Sequence, residues 1–445
     1  MYKNQIRLDC EAKRMEYRRE EIMPGVFLSA LYTDKFKSAA MCVTLLSQLD
    51  HEHAYLDALI PSVLRRGTVS HPDMSGIMTY LEELYGATAV PITLGVGEVK
   101  AMGFYSAFPE GRFLPGGRSE LADVSKLLGE LLLAPNTRGG LLLPDYVNSE
   151  RSKLAERIRA SKNDRITYAF QRLIELMCSY EDYSASILSD PDEAESIHYT
   201  RLTRRYRELL ATSPVEVFYC GAEDFNTVRE AVLPALSALP RGELDFDIGT
   251  DVRMNAIEDK PRRFFETMDV GQGKLVMGWR LGDCMEEPDF AAMRVFNAVY
   301  GGTASSKLFR EMREARSLCY YASSGIDDVK GLLYVHSGID KANYDVAVEG
   351  ICAELDKIKR GEISDDELSA ARRYCSQALR LVVDDPVELM MHYLKMNIIG
   401  AEISPEELAA ACEGVTAGEI AEIAAGTDCD AIYFLSGEDE EAGVE

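Results

Sequence analysis

The spacing of apolar and polar residues alternates between two periods along the chain. Residues 25–49 are rich in β-forming apolar side chains on both sides of a polar break at 33–37, which predicts two strands joined by a hairpin turn. Apolar positions then recur at helical spacing, which predicts helices over 55–64, 74–84 and 121–133. The chain therefore begins as a sheet and continues as helices.

The longest helical pattern begins near Pro144 and is interrupted. It breaks at 163–164, where Asn and Asp favour a turn, and the apolar spacing then resumes. After more helix, the apolar run 215–223 predicts a strand that closes this half of the chain.

The second half repeats the same order of patterns. A strand is predicted over 274–281 and a helix over 289–300. A capping box at Ser364 opens a long helix that breaks at 384–386 and resumes over 387–399, and a second N-cap pattern at Ser404 opens another helix. The chain ends in another predicted strand.

Two landmarks recur at nearly the same interval. The helix breaks at 163–164 and 384–385 lie 221 residues apart, and the glycines after the closing strands, Gly221 and Gly437, lie 216 apart. Recurrence of whole motifs at a fixed period indicates a duplicated unit. We therefore predict an α+β fold built from two homologous domains.

A segment of different composition separates the two copies. Residues 240–263 carry charge, proline and glycine with little periodicity, which is typical of a linker. The predicted domains are then residues 1–239 and 264–445.

Composition narrows the range of partners and compartments. The 445 residues include 48 basic and 74 acidic side chains, a formal net charge of −26, which argues against nucleic acid or an anionic membrane as the main partner. No apolar run reaches the roughly 18–20 residues that span a bilayer, and charges at 1–14 stand where a signal peptide needs apolar residues. A cytosolic protein is expected.

The cysteines and histidines give little sign of a metal site. The ten cysteines are scattered without a CxxC pair, so buried free thiols are expected. His51 and His53 flank Glu52, but histidines two apart share a metal poorly from a helix, although they could from a strand. A solvated loop is the favoured interpretation there.

Residues 300–321 combine a glycine-rich loop with an amphipathic helical segment and a β-prone end. Leu308 and Met312 belong to the apolar face, while Arg310, Arg313 and Arg316 recur every third residue on a polar face. We expect Arg310 and Arg316 to be solvated or paired with Glu311 and Glu314 on the helix surface.

The sequence AVYGGTASSKLFREMREARSLCYYASSG, which contains this stretch, resembles the second-domain signature of the pitrilysin/insulinase zinc peptidases. The RRGT at 65–68 and the LYGA at 84–87 are similar to first-domain features of the same family. The resemblance covers nearly the whole chain. It implies two α+β domains, each an antiparallel-rich mixed sheet covered by helices, which close around a peptide.

The resemblance also shows what this chain lacks. Active members carry His-x-x-Glu-His just before a Gly-Thr pair, and these histidines bind zinc with a later glutamate while the first Glu acts as general base. Counted back from Gly67, the histidine positions are Ala58 and Ser62, and the base position is Pro61. The family's spacing places the third ligand at Arg157, with Glu156 one residue away. No catalytic residue, zinc or other cofactor is therefore expected in this chain.

The substrate-binding half of the family's motif is present. In active members an arginine and a tyrosine seven residues apart contact the substrate peptide, and Arg313 and Tyr320 match them. The resemblance implies a non-catalytic subunit that binds peptide beside a homologous, zinc-bearing partner. A peptide-binding or scaffold protein without a peptidase role is the alternative, and a self-sufficient metallopeptidase using His51 and His53 is the third hypothesis. A homodimer of the isolated chain is left open.

Overall fold

The strands of the fold belong to two large sheets and one small hairpin. The computed structural model describes residues 16–186 and 190–437. The charged residues 1–14, including Cys10, lie outside this part of the chain. The strands are β1 (Glu16–Met23), β2 (Val26–Tyr32), β3 (Ser38–Gln48), β4 (Val90–Val96), β5 (Val99–Pro109), β6 (Thr137–Arg138), β7 (Leu141–Leu142), β8 (Val215–Gly221), β9 (Arg262–Thr267), β10 (Gly273–Arg280), β11 (Cys319–Asp327), β12 (Leu332–Ile339) and β13 (Asp428–Ser436).

The helices follow the predicted apolar periodicity closely. Asp164 caps the helix after the first predicted break, where its carboxylate accepts the backbone N–H groups of Ile166 and Thr167. The helices are α1 (Ala54–Leu64), α2 (Met74–Glu83), α3 (Leu121–Leu133), α4 (Pro144–Ser161), α5 (Arg165–Met177), α6 (Pro191–Ser196), α7 (Tyr199–Thr212), α8 (Phe225–Leu236), α9 (Phe290–Asn297), α10 (Tyr344–Lys359), α11 (Asp365–Val382), α12 (Pro386–Ile398), α13 (Pro405–Gly414) and α14 (Ala417–Gly426).

The first sheet has the strand order β1-β2-β8-β3-β5-β4. All its pairs are antiparallel except β2 with β8. The predicted hairpin between β2 and β3 is therefore wrong, because β8 lies between them and pairs with both. The two strands and the break were identified correctly, but the strand that separates them arrives more than 160 residues later in the sequence.

The second sheet repeats this topology. Its order, β9-β13-β10-β12-β11, matches β2-β8-β3-β5-β4 strand for strand, including a parallel pair between β9 and β13. Only β1 has no counterpart among the described residues. The predicted duplicated α+β fold with antiparallel-rich mixed sheets is confirmed.

Each half contributes one helix to the other half's sheet. Most helices of a half cover one face of its own sheet, around one large apolar core per half. Helix α5 packs instead on β10 and β13 of the second sheet, and α12 packs on β3 and β8 of the first. This exchange buries apolar side chains of both helices across the boundary and ties the halves together.

A buried ionic network also crosses the boundary between the halves. Lys330 Nζ lies 2.6 Å from Glu98 Oε1 and 2.8 Å from Glu181 Oε2. Arg280 donates to the other oxygen of Glu181 at 2.6 Å and to Asp430 Oδ2 at 2.9 Å. Such charges are stable in the interior only because each has a partner of opposite sign.

The segment 239–261 connects the halves and contains neither helix nor strand. It is nevertheless held by specific contacts: Thr250 Oγ1 accepts the backbone N–H of Glu98 at 3.1 Å, and Asp428 accepts that of Ala256 at 2.9 Å. Within the described residues, none of the helices is both long and apolar enough to cross a membrane. The nine described cysteines are free thiols, six of them buried.

Candidate functional site

The residues at the family's zinc-binding positions lie on α1, where it faces α4. Ala58 and Ser62 are half-buried on this helix, and Pro61 is buried within it. A methyl group, a hydroxyl and a pyrrolidine ring stand where active relatives of this fold type need two imidazoles and a carboxylate. None of the three side chains is a strong zinc ligand or a general base.

A group of cations fills the space beside these positions. Glu150 of α4 accepts a hydrogen bond from Arg66 Nη1 at 3.1 Å and pairs with Lys153 Nζ at 2.7 Å. With Ser62 at its edge, the remaining cavity measures only about 100 Å³. Two positive groups already neutralise the carboxylate that faces this cleft, so a divalent cation would meet repulsion there. The residues present do not fit zinc.

The third ligand position is also unsuited to a metal. Arg157 and Glu156 are both exposed on α4. Across the described ranges 16–186 and 190–437, no group of three or more His, Cys, Asp or Glu side chains is arranged to hold a metal ion.

His51 and His53 do not converge on a common point. His51 Nε2 lies 3.1 Å from Ser184 Oγ, whereas His53 Nδ1 lies 3.0 Å from Asp50. Both histidines lie in the turn before α1 rather than on a strand, so each ring is oriented by a different partner. This geometry gives no support to a metal site built on the pair.

Arg313 and Tyr320 lie on the surface of the second half, next to the edge strand β11. Tyr320 is 78% exposed, and the guanidinium of Arg313 stacks on the ring of Phe309 with 4.8 Å between its carbon and the ring centroid. Burial raises the pKa of the Cys319 thiol, and the nearby charge of Arg313 partly opposes that rise. Arg313 is thus close to the start of β11, where Tyr320 projects into solvent.

Arg313 belongs to a helical turn of unusual geometry. Residues Phe309–Ala315 form a π-helical turn, and a second one, Ala298–Gly302, extends α9. Such wide turns are rare and are often found at functional sites. Met312 anchors the first of them in the core, with its sulfur packed against Gly350 of α10.

The neighbouring arginines of this segment have different partners. Arg316 Nε donates to Glu311 at 2.7 Å, as expected from the sequence. Arg310 is 57% exposed, as expected for a solvated side chain, and its guanidinium lies 3.7 Å from Glu367 of α11.

The comparisons with known proteins agree with this geometry. The family described as Peptidase M16 inactive domain matches residues 196–375. A Bacillus subtilis protein named "Probable inactive metalloprotease YmfF" is 30% identical over 415 residues, which cover 93% of this chain and 96% of that relative. The chain belongs to the M16 peptidase family. It is a member without the zinc site, and a non-catalytic role is supported.

Solved structures of M16-like proteins share its fold. A conserved protein from Enterococcus faecalis superimposes with a TM-score of 0.87 at 25% identity and covers 96% of this chain and 99% of its own. A peptidase M16 inactive domain from Pseudomonas fluorescens superimposes with a TM-score of 0.76 at 14% identity, covering 95% and 99%. The two-domain M16 fold is therefore shared across the full length described.

The residues that close the first-half cleft of this M16 protein were not predicted from the sequence. Arg66 and Lys153 gave no signal as cleft residues because surface cations are common in any helical protein. A usable signal existed in the spacing, since Glu150 lies seven residues before the third-ligand position Arg157, and Arg66 directly precedes Gly67.

Proposed function

We propose that this M16 protein is the non-catalytic subunit of a heterodimeric peptidase. In this proposal a homologous partner supplies zinc and the hydrolytic chemistry, and this chain supplies Arg313 and Tyr320 to the peptide that is being cut. We place the pair in the cytosol, where free thiols such as those described here persist.

The observation that carries the proposal is the contrast between two surfaces. The cleft at α1 and α4 is closed by Arg66, Glu150 and Lys153 and fits no metal. Arg313 and Tyr320, in contrast, are exposed and free to meet another molecule. A protein that had lost all contact with substrate would have no need to keep such a pair at the family's spacing.

The position of the pair suits peptide recognition. Strand β11 is an edge of the second sheet, the position at which an extended peptide can pair with a sheet. A guanidinium can donate two parallel hydrogen bonds to carbonyl groups, and a phenol can donate to an oxygen that gains negative charge during hydrolysis. Arg313 would therefore fix the peptide, and Tyr320 would stabilise the carbonyl under attack.

The test is reconstitution with a zinc-bearing homologue from the same genome. The isolated chain should contain no zinc and cleave no peptide, whereas the mixed pair should cleave and lose activity on chelation. Arg313→Ala should lower kcat/KM of the pair by about tenfold to hundredfold, the usual effect of losing a hydrogen bond from a charged group. Tyr320→Phe should lower kcat more than it raises KM. Arg310 is a neighbouring exposed arginine, and Arg310→Ala is the matched control, which should change neither kcat nor KM.

Two outcomes would contradict the proposal. Stoichiometric zinc with chelator-sensitive cleavage by the isolated chain would show a self-sufficient peptidase. Unchanged turnover by Arg313→Ala together with weaker capture of a peptide would instead favour the binding or scaffold function.

A further inference from the structure

The second half contains an open cavity of about 460 Å³. It lies between α9 with its π-helical extension, strand β11 and helix α11, and Lys395 of α12 closes one side. Its size falls in the range of pockets that bind small molecules or a few residues of a peptide.

The cavity occupies the same place in the second half as the closed cleft at α1 and α4 does in the first half. Gly67-Thr68 follows α1 and Gly302-Thr303 follows α9, so Met293 and Asn297 correspond to Ala58 and Ser62. Helices α4 and α11 begin 221 residues apart, so Ala378 corresponds to Arg157. Met293, Asn297 and Ala378 all line the cavity. The duplicated fold thus contains one cleft twice, closed by ion pairs in the first half and open in the second.

The charged groups of the cavity leave one excess positive charge. Lys395 Nζ lies 2.5 Å from Asp328 Oδ1, and Arg294 Nη2 lies 3.6 Å from Asp328 Oδ2. These three are the charged side chains among the residues that line it. In a chain with a formal net charge of −26, a pocket with two cations and one carboxylate has a local charge that favours an anion.

Two donors in the cavity are available to such an anion. The Arg294 side chain is 36% exposed, and its Nη2 lies 3.6 Å from Asp328 Oδ2, a distance longer than a hydrogen bond, so the outer end of the guanidinium can donate to a ligand. The amide oxygen of Asn297 accepts from Ser324 Oγ at 2.7 Å, which leaves its NH₂ as the end that can donate.

The remaining walls are apolar. Met293, Ile326, Leu379 and Val382 line the space beside the cations. A group that fits this surface carries one negative charge on a short hydrocarbon chain, because a multiply charged anion would find too little positive charge and too few polar neighbours.

We propose that this cavity binds a carboxylate carried on a short apolar chain, either the free C-terminus of a peptide that ends in an aliphatic residue or a medium-chain fatty acid. Arg294 would bind the carboxylate with help from Asn297 and Lys395, and the apolar walls would enclose the hydrocarbon group. The site is complete within this chain, so the proposal stands or fails independently of a zinc-bearing partner.

The test is calorimetric titration of the full chain with four probes: acetyl-Ala-Ala-Leu with a free carboxylate, the same peptide as its C-terminal amide, octanoate, and inorganic phosphate. Saturable binding of the free acid that is at least tenfold tighter than binding of the amide is expected, because the amide removes the charge that Arg294 would pair. Octanoate binding more tightly than the peptide would support the site and assign the carboxylate to a fatty acid.

Three variants locate the binding in the cavity. Arg294→Gln should weaken binding about tenfold, and Ala378→Trp, a change at an exposed rim position, should block it without disturbing the core. Arg380→Gln alters a 63% exposed arginine on the same helix, outside the cavity, and should bind as the unmodified chain does. Any of four results would overturn the proposal. These are equal affinity for the peptide acid and its amide, phosphate binding as tight as the peptide, no binding of either carboxylate, and unchanged binding by Ala378→Trp.

Discussion

At the scale of single residues, the charge balance around Glu150 explains why the first-half cleft is closed. A carboxylate that is 11% exposed needs a compensating charge. In metallopeptidases of this fold a metal ion could share that role, whereas here Arg66 and Lys153 fill it from the protein's own side chains. The cations therefore stabilise the folded state at the position where the catalytic machinery is missing.

We expect Glu150→Gln to lower the free energy of unfolding by about 1–2 kcal/mol, because Arg66 is only 25% exposed and would lose its anionic partner. Urea denaturation at neutral pH measures this change. Glu195→Gln is the matched control: Glu195 pairs with Arg159 in solvent, both side chains are about half exposed, and a change below about 0.5 kcal/mol is expected. Equal losses in the two variants would argue against a structural role for the closed cleft.

Residue-scale predictions succeeded where the determinants are local in sequence. Ser364 and Ser404 form the predicted capping boxes, since the side chain and the N–H it caps are three residues apart. The proximity of Arg310 to Glu367 was not predicted, because Glu367 lies far away in sequence. The cavity at Arg294 was missed for the same reason, since Asp328 and Lys395 alone are 67 residues apart.

At the scale of helices and strands, the apolar pattern predicts that an element exists but not which surface it covers. The spacing in α5 and α12 predicted both helices, yet each packs on the sheet of the other half. An apolar stripe fits any apolar sheet face equally well, so periodicity carries no information about the destination. The predicted hairpin between β2 and β3 was wrong for the same reason, because the alternation of apolar and polar residues does not identify which strand lies beside which.

The exchanged helix α12 offers a direct test of coupling between the halves. Leu394 is fully buried against the first sheet, so Leu394→Ala should cost about 2–5 kcal/mol through lost burial and the cavity it leaves. Because α12 belongs to the second half but covers the first, unfolding should remain one cooperative transition at a lower denaturant midpoint. Fluorescence and circular dichroism along the same urea series measure this.

The control uses the same substitution on a neighbouring helix. Leu381 on α11 is 68% exposed, and Leu381→Ala should change stability by less than about 0.5 kcal/mol. Two separate transitions in Leu394→Ala, with only one of them shifted, would contradict the coupling.

At the scale of the whole molecule, the ionic network around Glu181 joins the two halves in the interior. Burial by itself would raise the pKa of Glu181, but hydrogen bonds and charge from Arg280 and Lys330 outweigh it and hold the pKa below the usual 4.5. Asp430 pairs with the same Arg280, and Glu98 with the same Lys330. Glu181 thus stabilises the boundary in its ionised form.

A pH dependence of stability follows from this lowered pKa. In the unfolded chain Glu181 takes up a proton near pH 4.5, whereas in the folded protein it stays ionised to lower pH. Its contribution is therefore fully present above that pH and is lost as the pH falls through the folded value.

Glu181→Gln should cost on the order of 3 kcal/mol at neutral pH, because Arg280 and Lys330 lose a buried partner. Urea denaturation of both proteins between neutral pH and about pH 3.5 should show this difference shrinking below pH 4.5. A carboxylate outside this network, such as the helix cap Asp164, titrates equally in both proteins and cancels from the difference. Glu208→Gln changes a 48% exposed carboxylate and should show a small, constant difference. A pH-independent loss in Glu181→Gln would mean that the site contributes packing alone, and that ionisation does not hold the two halves of this M16 protein together.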